Sequence, residues 1–535
     1  MEFQQGLWLM KGYKMTFNEK IKSRISINDS YSISTQSLIL TLLSGLIAYH
    51  ILIIYGFTNP DGICEGLTYY TSGDWALAGC GRWAIRYMNE MTCNIVIPLY
   101  VVLMYGICIW LVIVLLSKLW KFADSAIIVL SILLIVTPAI AEQLTYTYTA
   151  LAYAYSCLLA VLFVYLMFRC DWRPAILGGS LSIAIMMGLY QSYIGMVAVL
   201  VVMTLIYEII SLKNSKLIIQ KVILSTVSAL VGYFIYSKIL ETDLAMRGLD
   251  NSGTRVADFS FSKIFEAFPE RVNYIYFKYF VFLRDKYMHR NILYWLILIV
   301  FGITLAFCIY RLLQNKKYGR ILIASALIAV IPLASNIIGI LIPYNGIEIY
   351  MQYQTILIVP FMFTCLHLVE KDKVYKSVHG ISIIVVAALA WTFVLAANAT
   401  YKCYELSYRH INSQMQIAIA RVYDLEDYVM DETPILIAGY PTDMTLRNSM
   451  DIYQYAENLY ENPAFWPTMH GVTQNRYLYF LNYFGIDAQQ FSDEEYATII
   501  NSSEFAEMPI WPDRDSVAMI DGFAVVKFTE QPPMP

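Results

Sequence analysis

Charge is scarce in this chain. Of 535 residues only 15% are Asp, Glu, Lys or Arg, whereas 58% are hydrophobic. That is too little charge to cover a soluble protein of this length. The basic residues fall in short clusters between apolar runs, not along one stripe, which argues against a nucleic-acid surface. Histidine is also scarce: the 6 present are dispersed and no HExxH occurs, so the sequence shows no metalloprotease motif. No Walker loop and no GxGxxG following a strand is present, leaving ATP- or nucleotide-sugar-driven chemistry without a seat. The 9 cysteines form no CxxC pair, against a zinc or thioredoxin-like site. Cys108, Cys157, Cys308 and Cys365 lie within apolar runs and read as small core residues, while Cys64 and Cys80 share one loop, where a disulfide stays open. No cofactor is called for, no metal ligands are assigned, and dependence on a divalent cation is left open. No fixed-period repeat appears.

What the chain has in abundance is long apolar runs. Spanning helices need about 20 mostly apolar residues, because the bilayer interior cannot satisfy loose backbone groups. Such runs lie near 36–56, 94–117, 124–143, 148–168, 174–190, 192–211, 219–240, 291–312, 320–342, 347–369 and 377–397. The pattern predicts a polytopic α-helical membrane protein with about eleven transmembrane helices. The fifth run is short, and the Gly188–Gly195 region fits a re-entrant kink as well as a turn. The first 35 residues are polar and carry Lys11, Lys14, Lys20, Lys22 and Arg24, as expected of a cytoplasmic basic tail before an uncleaved first span. If the N-terminus is inside, every even-to-odd connection should be basic. Each is: Lys118 and Lys121; Arg169 and Arg173; Lys213, Lys216 and Lys221; Arg311, Lys316, Lys317 and Arg320; Lys371, Lys373 and Lys376. The short connections near 144–147, 190–192 and 343–346 hold no Lys or Arg. The expectation is N-terminus in and C-terminus out, with a membrane core over 36–397 and two large external loops at 57–93 and 241–290. Residues 398–535 then form an extracytoplasmic tail. A helical pattern at 404–430, an apolar run Pro434–Tyr440 and a hairpin over Ser516–Phe528 turning at Asp521-Gly522 predict a small α/β domain there. With 43 Tyr and 10 Trp, aromatics suit membrane interfaces and also stack on sugar rings.

Chemistry concentrates at the predicted outer ends. In the first loop Asp61 and Glu65 would share a face if that stretch is one helical turn. Asp74 suits an N-cap for an interfacial helix over 75–91, with Leu77, Ala84, Met88 and Met91 as its apolar stripe and Arg82 and Arg86 one turn apart. A carboxylate there accepts a proton from a hydroxyl nucleophile, and guanidinium forks match phosphate oxygens. Solvated acids and arginines bound to lipid phosphates are the plainer reading of the same residues. Glu142, near the outer end of the third run, and Tyr190-Gln191, at the turn after the fifth, are expensive at such depths unless paired or lining a cavity. Asn336, Glu348, Gln352 and Gln354 gather on the same side. The segment 241–290 holds Arg247, Arg255, Arg271, Lys278, Arg284 and Lys286, a set fit for an anionic ligand or for a solvated surface.

At these residues the sequence resembles the bacterial type II glucosyltransferases, the serotype-converting enzymes of O-antigen glucosylation and their relatives. The likeness rests on Pro60-Asp-Gly62, Gly73-Asp-Trp75 and Gly81-Arg-Trp83, on the stretch from Pro138 to Tyr155, on Tyr190-Gln191-Ser192, and on Ile520 to Lys527. It implies a GT-C-like core, a catalytic carboxylate in the first external loop, a polyprenyl-phosphate sugar donor on the outer leaflet and a cell-envelope glycan acceptor. By that likeness Asp61 is the general base, with Glu65 or Asp74 as substitutes, and Arg82, with Arg86 near it, holds the donor phosphate. Trp75 and Trp83 stack on sugar or anchor the loop, and Glu142, Tyr190 and Gln191 line the substrate cavity. Here the loop acids are dispersed where many relatives have adjacent ones. Two other classes share the outline: a lipid-linked oligosaccharide flippase or transporter, which commonly shows two related halves and midplane groups, and a polysaccharide polymerase or ligase, usually built around a late loop.

Overall fold

The computed structural model describes residues 17–56, 74–249, 268–284, 288–341, 347–370, 375–430, 432–439, 441, 451–452, 481, 485–486, 489, 491–530 and 532. Within these, ten helices are long and apolar enough to cross a membrane. The protein is a polytopic α-helical membrane protein with a small C-terminal sheet.

The chain opens with α1 (Phe17–Tyr55), apolar over Ile33–Tyr55. Two short helices follow, α2 (Asp74–Ala78) and α3 (Trp83–Glu90), and then α4 (Pro98–Leu119). The third span is broken into α5 (Asp124–Leu133) and α6 (Pro138–Gln143), with Pro138 at the first turn of α6, where its missing N–H costs nothing. α7 (Ala150–Arg169), α8 (Trp172–Leu189), α9 (Ile194–Ile210) and α10 (Ser215–Arg247) continue the bundle. The Gly188–Gly195 region is a 3₁₀ turn over Gln191–Tyr193, not a re-entrant segment.

α11 (Phe268–Lys278) lies outside the spans and packs beside Asn336, whose Nδ2 donates to the Ile275 carbonyl at 3.1 Å. α12 (Met288–Gln314) and α13 (Tyr318–Ser335) are full crossings, and α14 (Ile338–Leu341) is one turn. The run at 347–369 is not a full spanning helix. It begins with 3₁₀ turns at Ile349–Met351 and Tyr353–Leu357, and only α15 (Ile358–Leu368) is regular. Eleven residues rise about 16 Å, roughly half a hydrocarbon core. The irregular backbone is satisfied from within: Gln354 Nε2 donates to the carbonyls of Ser335 (2.7 Å) and Met351 (2.8 Å).

The expected tail helix is not separate. α16 runs unbroken from Tyr375 to Tyr423, so one rod carries the last span into the C-terminal region. There β1 (Ile435–Ala438), α17 (Asp493–Ile500), α18 (Ser503–Glu507), β2 (Val517–Ile520) and β3 (Phe523–Lys527) form a sheet of order β1-β3-β2. β1 runs parallel to β3, and β2 pairs with it antiparallel. Asp521 (φ 45°) and Gly522 (φ 81°) make the two-residue turn that Asp-Gly predicts. The alternation of β1 sorts its two faces. Ile435 and Ile437 join the core that includes Ile411, Met415 and Ala418 of α16, while Leu436 and Ala438 join Tyr496, Ile499 and Phe505.

The connections predicted as basic converge at one end of the bundle. Arg169 pairs with Glu208 at 2.7 Å and donates to the Leu119 carbonyl; Lys221 donates to the Cys170 carbonyl (3.3 Å), and Arg320 to those of Ile209 (3.1 Å) and Lys213 (2.6 Å). The candidate site lies at the other end.

Candidate active site

Arg82 owes its position to the break between α2 and α3. The interfacial helix expected over 75–91 is two helices, because Gly79 and Gly81 interrupt it and Gly81 adopts a φ of +66° that a glycine reaches without strain. Gly81 N–H still bonds the Leu77 carbonyl (2.8 Å), and Arg82 N–H turns back to that of Ala76 (2.9 Å). The turn is pinned from the bundle. Gln191 Nε2 donates to the Cys80 carbonyl at 2.7 Å and the Tyr236 hydroxyl to that of Gly81 at 3.1 Å.

From this turn the Arg82 guanidinium lies over the Tyr190 ring, 4.6 Å from its centroid. Tyr190 is buried within a cluster of rings. Tyr153 meets it edge-on at 4.7 Å, Tyr193 lies at 6.1 Å and Tyr350 at 6.5 Å. Tyr146 closes the group, 6.3 Å from Tyr153 and 5.3 Å from Tyr350. These rings come from three separate stretches of chain, 146–153, 190–193 and 350, tied together by Gln143. Its amide nitrogen donates to the Tyr350 carbonyl and to the Tyr193 hydroxyl (3.2 Å), and its amide oxygen accepts from the Tyr105 hydroxyl.

Electrostatically the site is a cation among neutral rings. Burial works against the Arg82 charge, and the π face of Tyr190 beneath it offsets part of that cost. Burial pushes the Tyr190 phenol up, with the Arg82 charge pulling the other way. Tyr350 is likewise raised, first by burial. The Arg82 Nε is buried and has no hydrogen-bond partner among the described residues. A buried cation in such surroundings is best compensated by an anion that reaches its N–H groups.

The other sequence candidates separate. Asp61 and Glu65 lie outside the described residues, as do the side chains of Asp74 and Trp75 on α2 and the Cys64 of the open disulfide. Cys80 is buried. Arg86 does not join Arg82. Because α3 begins only at Trp83, Arg86 points outward and bonds Glu90 one turn on (2.7 Å). Met91, expected on the apolar stripe with Ala84 and Met88, is 86% exposed because α3 ends at Glu90; the buried face of α3 is Ala84, Ile85, Met88 and Asn89. Trp83 packs into the bundle beside Gly188 and edge-on to Tyr87 at 6.4 Å. Gln191 tethers the Cys80–Gly81 backbone. Glu142 stands on α6 next to Gln143. Of the basic set in 241–290, Arg247 pairs with Asp243 at 3.2 Å, whereas Arg255 and Lys286 lie outside the described residues. Tyr146, Tyr153 and Tyr350 were not singled out from the sequence. Their only signal there is tyrosine abundance and the close spacing of Tyr146, Tyr148 and Tyr153.

Residues 64–366 match the family model described as Glucosyl transferase GtrII, more than half of the chain. The chain belongs to the GtrII glucosyl transferase family. The GtrII match takes in Arg82 and the whole tyrosine cluster and leaves out the C-terminal sheet. No curated protein and no solved structure matches the chain. Family and fold together make it a glycosyltransferase built on membrane helices.

In this GtrII protein the neighbour of Arg82 offers a structural test. A methyl group at Gly188 would stand 2.5 Å from Cε2 of Trp83, inside van der Waals contact with a rigid ring. Gly188→Ala should displace Trp83 and carry Arg82 with it. A shift of about 1 Å can cost up to roughly 100-fold in rate. We expect transfer to fall about 10- to 100-fold while the protein remains monodisperse in detergent, as read by a transfer assay beside size-exclusion chromatography.

Proposed function

We propose that the protein moves a glucosyl unit from a polyprenyl-phosphate donor to a cell-envelope glycan, such as O-antigen, at the outer face of a bacterial cytoplasmic membrane, with inversion at the anomeric carbon. The observation that carries this reading is the Arg82 guanidinium, seated on Tyr190 beside the tyrosine cluster, with an Nε that has no hydrogen-bond partner among the described residues. That site lies at the end of the bundle opposite the basic connections, which the positive-inside rule would put in the cytoplasm. The N-terminus is then cytoplasmic and the C-terminal sheet outside. A lipid-linked sugar presents its phosphate at that depth, and the arrangement is that of a GT-C-like enzyme.

In the proposed step the acceptor hydroxyl loses its proton to a loop carboxylate as its oxygen attacks the anomeric carbon. The bond to the phosphate oxygen breaks, and the departing polyprenyl phosphate carries the electron pair and negative charge. Asp61 is the proposed base, with Glu65 and Asp74 as alternatives in the same loop. Phosphate is already a good leaving group, so positioning and charge stabilisation supply most of the rate. Tyrosine faces suit the apolar side of a sugar ring.

Tyr190 has a measurable share in this. A cation–π contact is worth about 0.5 to 2 kcal/mol. Tyr190→Leu should therefore weaken donor binding roughly 2- to 30-fold, while Tyr190→Phe, which keeps the ring, should stay near wild type. Donor KM values for both variants check this. The function itself is tested by reconstituting the full chain with radiolabelled polyprenyl-phosphate glucose and a membrane glycan acceptor. Label arriving on the glycan supports the reading; lipid movement across the bilayer without transfer contradicts it.

A further inference from the structure

The end of α1 is held by a side chain from the last span. α1 and α16 run parallel and meet at three levels. The Asn398 amide donates to the Ile47 carbonyl at 3.3 Å. One turn on, Tyr401 meets Tyr49 edge-on at 5.9 Å. Beyond these, Arg409 Nη2 donates to the Tyr55 hydroxyl at 2.7 Å, and the guanidinium lies 5.1 Å from the centroid of the same ring. Tyr55 is the last residue of α1. Gly56 ends the helix in the left-handed conformation (φ 63°), with its N–H bonded to the Leu52 carbonyl at 2.9 Å. The same Arg409 nitrogen stands 2.8 Å from Oε1 of Glu405, one turn back on α16, and Lys402 Nζ pairs with Oε2. Glu405 is 2% exposed although Arg409 is 60% exposed. An exposed ion pair by itself holds little. A buried carboxylate is different, because leaving it without its cations is costly, so Glu405 fixes where the guanidinium lies.

We propose that Arg409 is a positioning residue for sugar transfer: clamped by Glu405, it fixes the end of α1 and with it the origin of the loop that carries Asp61. The assignment rests on the reading above, in which a carboxylate of that loop is the base. Asp61 follows Tyr55 by six residues, so it lies within about 20 Å of the clamp even on a fully extended chain. The far end of the loop is pinned separately, where Gln191 and Tyr236 hold the Cys80 and Gly81 carbonyls. Two fixed ends narrow the conformations open to the stretch between them. A base must come within hydrogen-bond reach of the proton it takes, and a small misplacement is expensive in rate. Charge pairs three and four residues apart commonly support only their own helix. The reach of Arg409 from α16 to the last residue of α1 is what such a role does not require.

The test uses the full chain in lipid nanodiscs. Arg409→Gln and Tyr55→Leu should each lower the transfer rate at saturating polyprenyl-phosphate glucose about 10-fold. Donor KM should stay unchanged, because the phosphate is assigned to Arg82. Arg409→Lys, which keeps a cation on Glu405, should recover part of the loss. Tyr55→Phe, which keeps the ring, should fall between wild type and Tyr55→Leu. Tyr55→Leu leaves Glu405 with both its cations, so it keeps the test intact where Arg409→Gln lowers stability. The double variant should be no slower than the worse single, since each removes the same contact. Hydrogen exchange at residues 52–56, followed by mass spectrometry without donor, should be faster in both single variants than in wild type. Unchanged exchange in both would overturn the clamp. Faster exchange with a wild-type transfer rate would overturn the positioning role, and so would a rise in donor KM as large as the fall in rate. Asp61→Asn, measured alone, reports on the base and should leave exchange at the end of α1 at its wild-type value, so the two assignments can fail separately.

Discussion

Arg82→Gln should fold normally and lose about 10²- to 10³-fold in transfer rate, the loss expected when one preorganised donor to a developing negative charge is removed. Glutamine keeps a comparable length and polarity at the N-cap of α3, whose helix takes no side-chain cap from Arg82. The turn itself is held by backbone bonds and by Gln191 and Tyr236, none of which needs the guanidinium. What disappears is the cation over the Tyr190 ring, and with it the stacking there. Arg82→Lys separates charge from shape. Lysine restores a cation but not the planar fork or its stacking, so it should recover only part of the rate, on the order of 10-fold above the glutamine variant. Equal activity of the lysine variant and wild type would mean that a point charge suffices.

Asp61→Asn is the second large effect. Removing a positioned general base costs about 10²- to 10⁴-fold. Asparagine is nearly isosteric, so expression and chromatographic behaviour should match wild type while transfer is lost. Donor binding should survive, since the phosphate is assigned to Arg82. This produces a clean division: the Asp61 variant lowers the rate at saturating donor, whereas the Tyr190 variants raise the donor KM. Glu65→Gln and Asp74→Asn, measured alongside, should stay active. Loss in one of them with Asp61→Asn fully active would move the base to that residue.

Much of this architecture is readable in the chain because the bilayer makes few exceptions. Ten of the eleven apolar runs are full crossings, and the alternation of Lys and Arg between connections sorts the two ends of the bundle as the contacts of Arg169, Lys221 and Arg320 do. The run at 347–369 departs because Gln352 and Gln354 hold its backbone in 3₁₀ turns through bonds to residues that hydropathy does not see. Arg82 and Tyr190 stand out from local motifs. Their pairing does not, nor does the arrival of Tyr350 beside them, because those contacts join residues far apart in sequence. Arg86 was misplaced for a local reason: a single helix over 75–91 puts it beside Arg82, and the two glycines around Cys80, which signal a break, undo that geometry. Trp83 was open between sugar stacking and anchoring; its seat beside Gly188 shows packing into the bundle.

The central claim is that Arg82 receives the donor's phosphate. Electron cryomicroscopy of the full chain in lipid nanodiscs with polyprenyl-phosphate glucose addresses it directly. The expected density places phosphate oxygens within hydrogen-bond reach of the Arg82 guanidinium, with the sugar against the tyrosine cluster. A phosphate held elsewhere on the protein, with Arg82 still lying on Tyr190 and touching no part of the donor, would contradict the account.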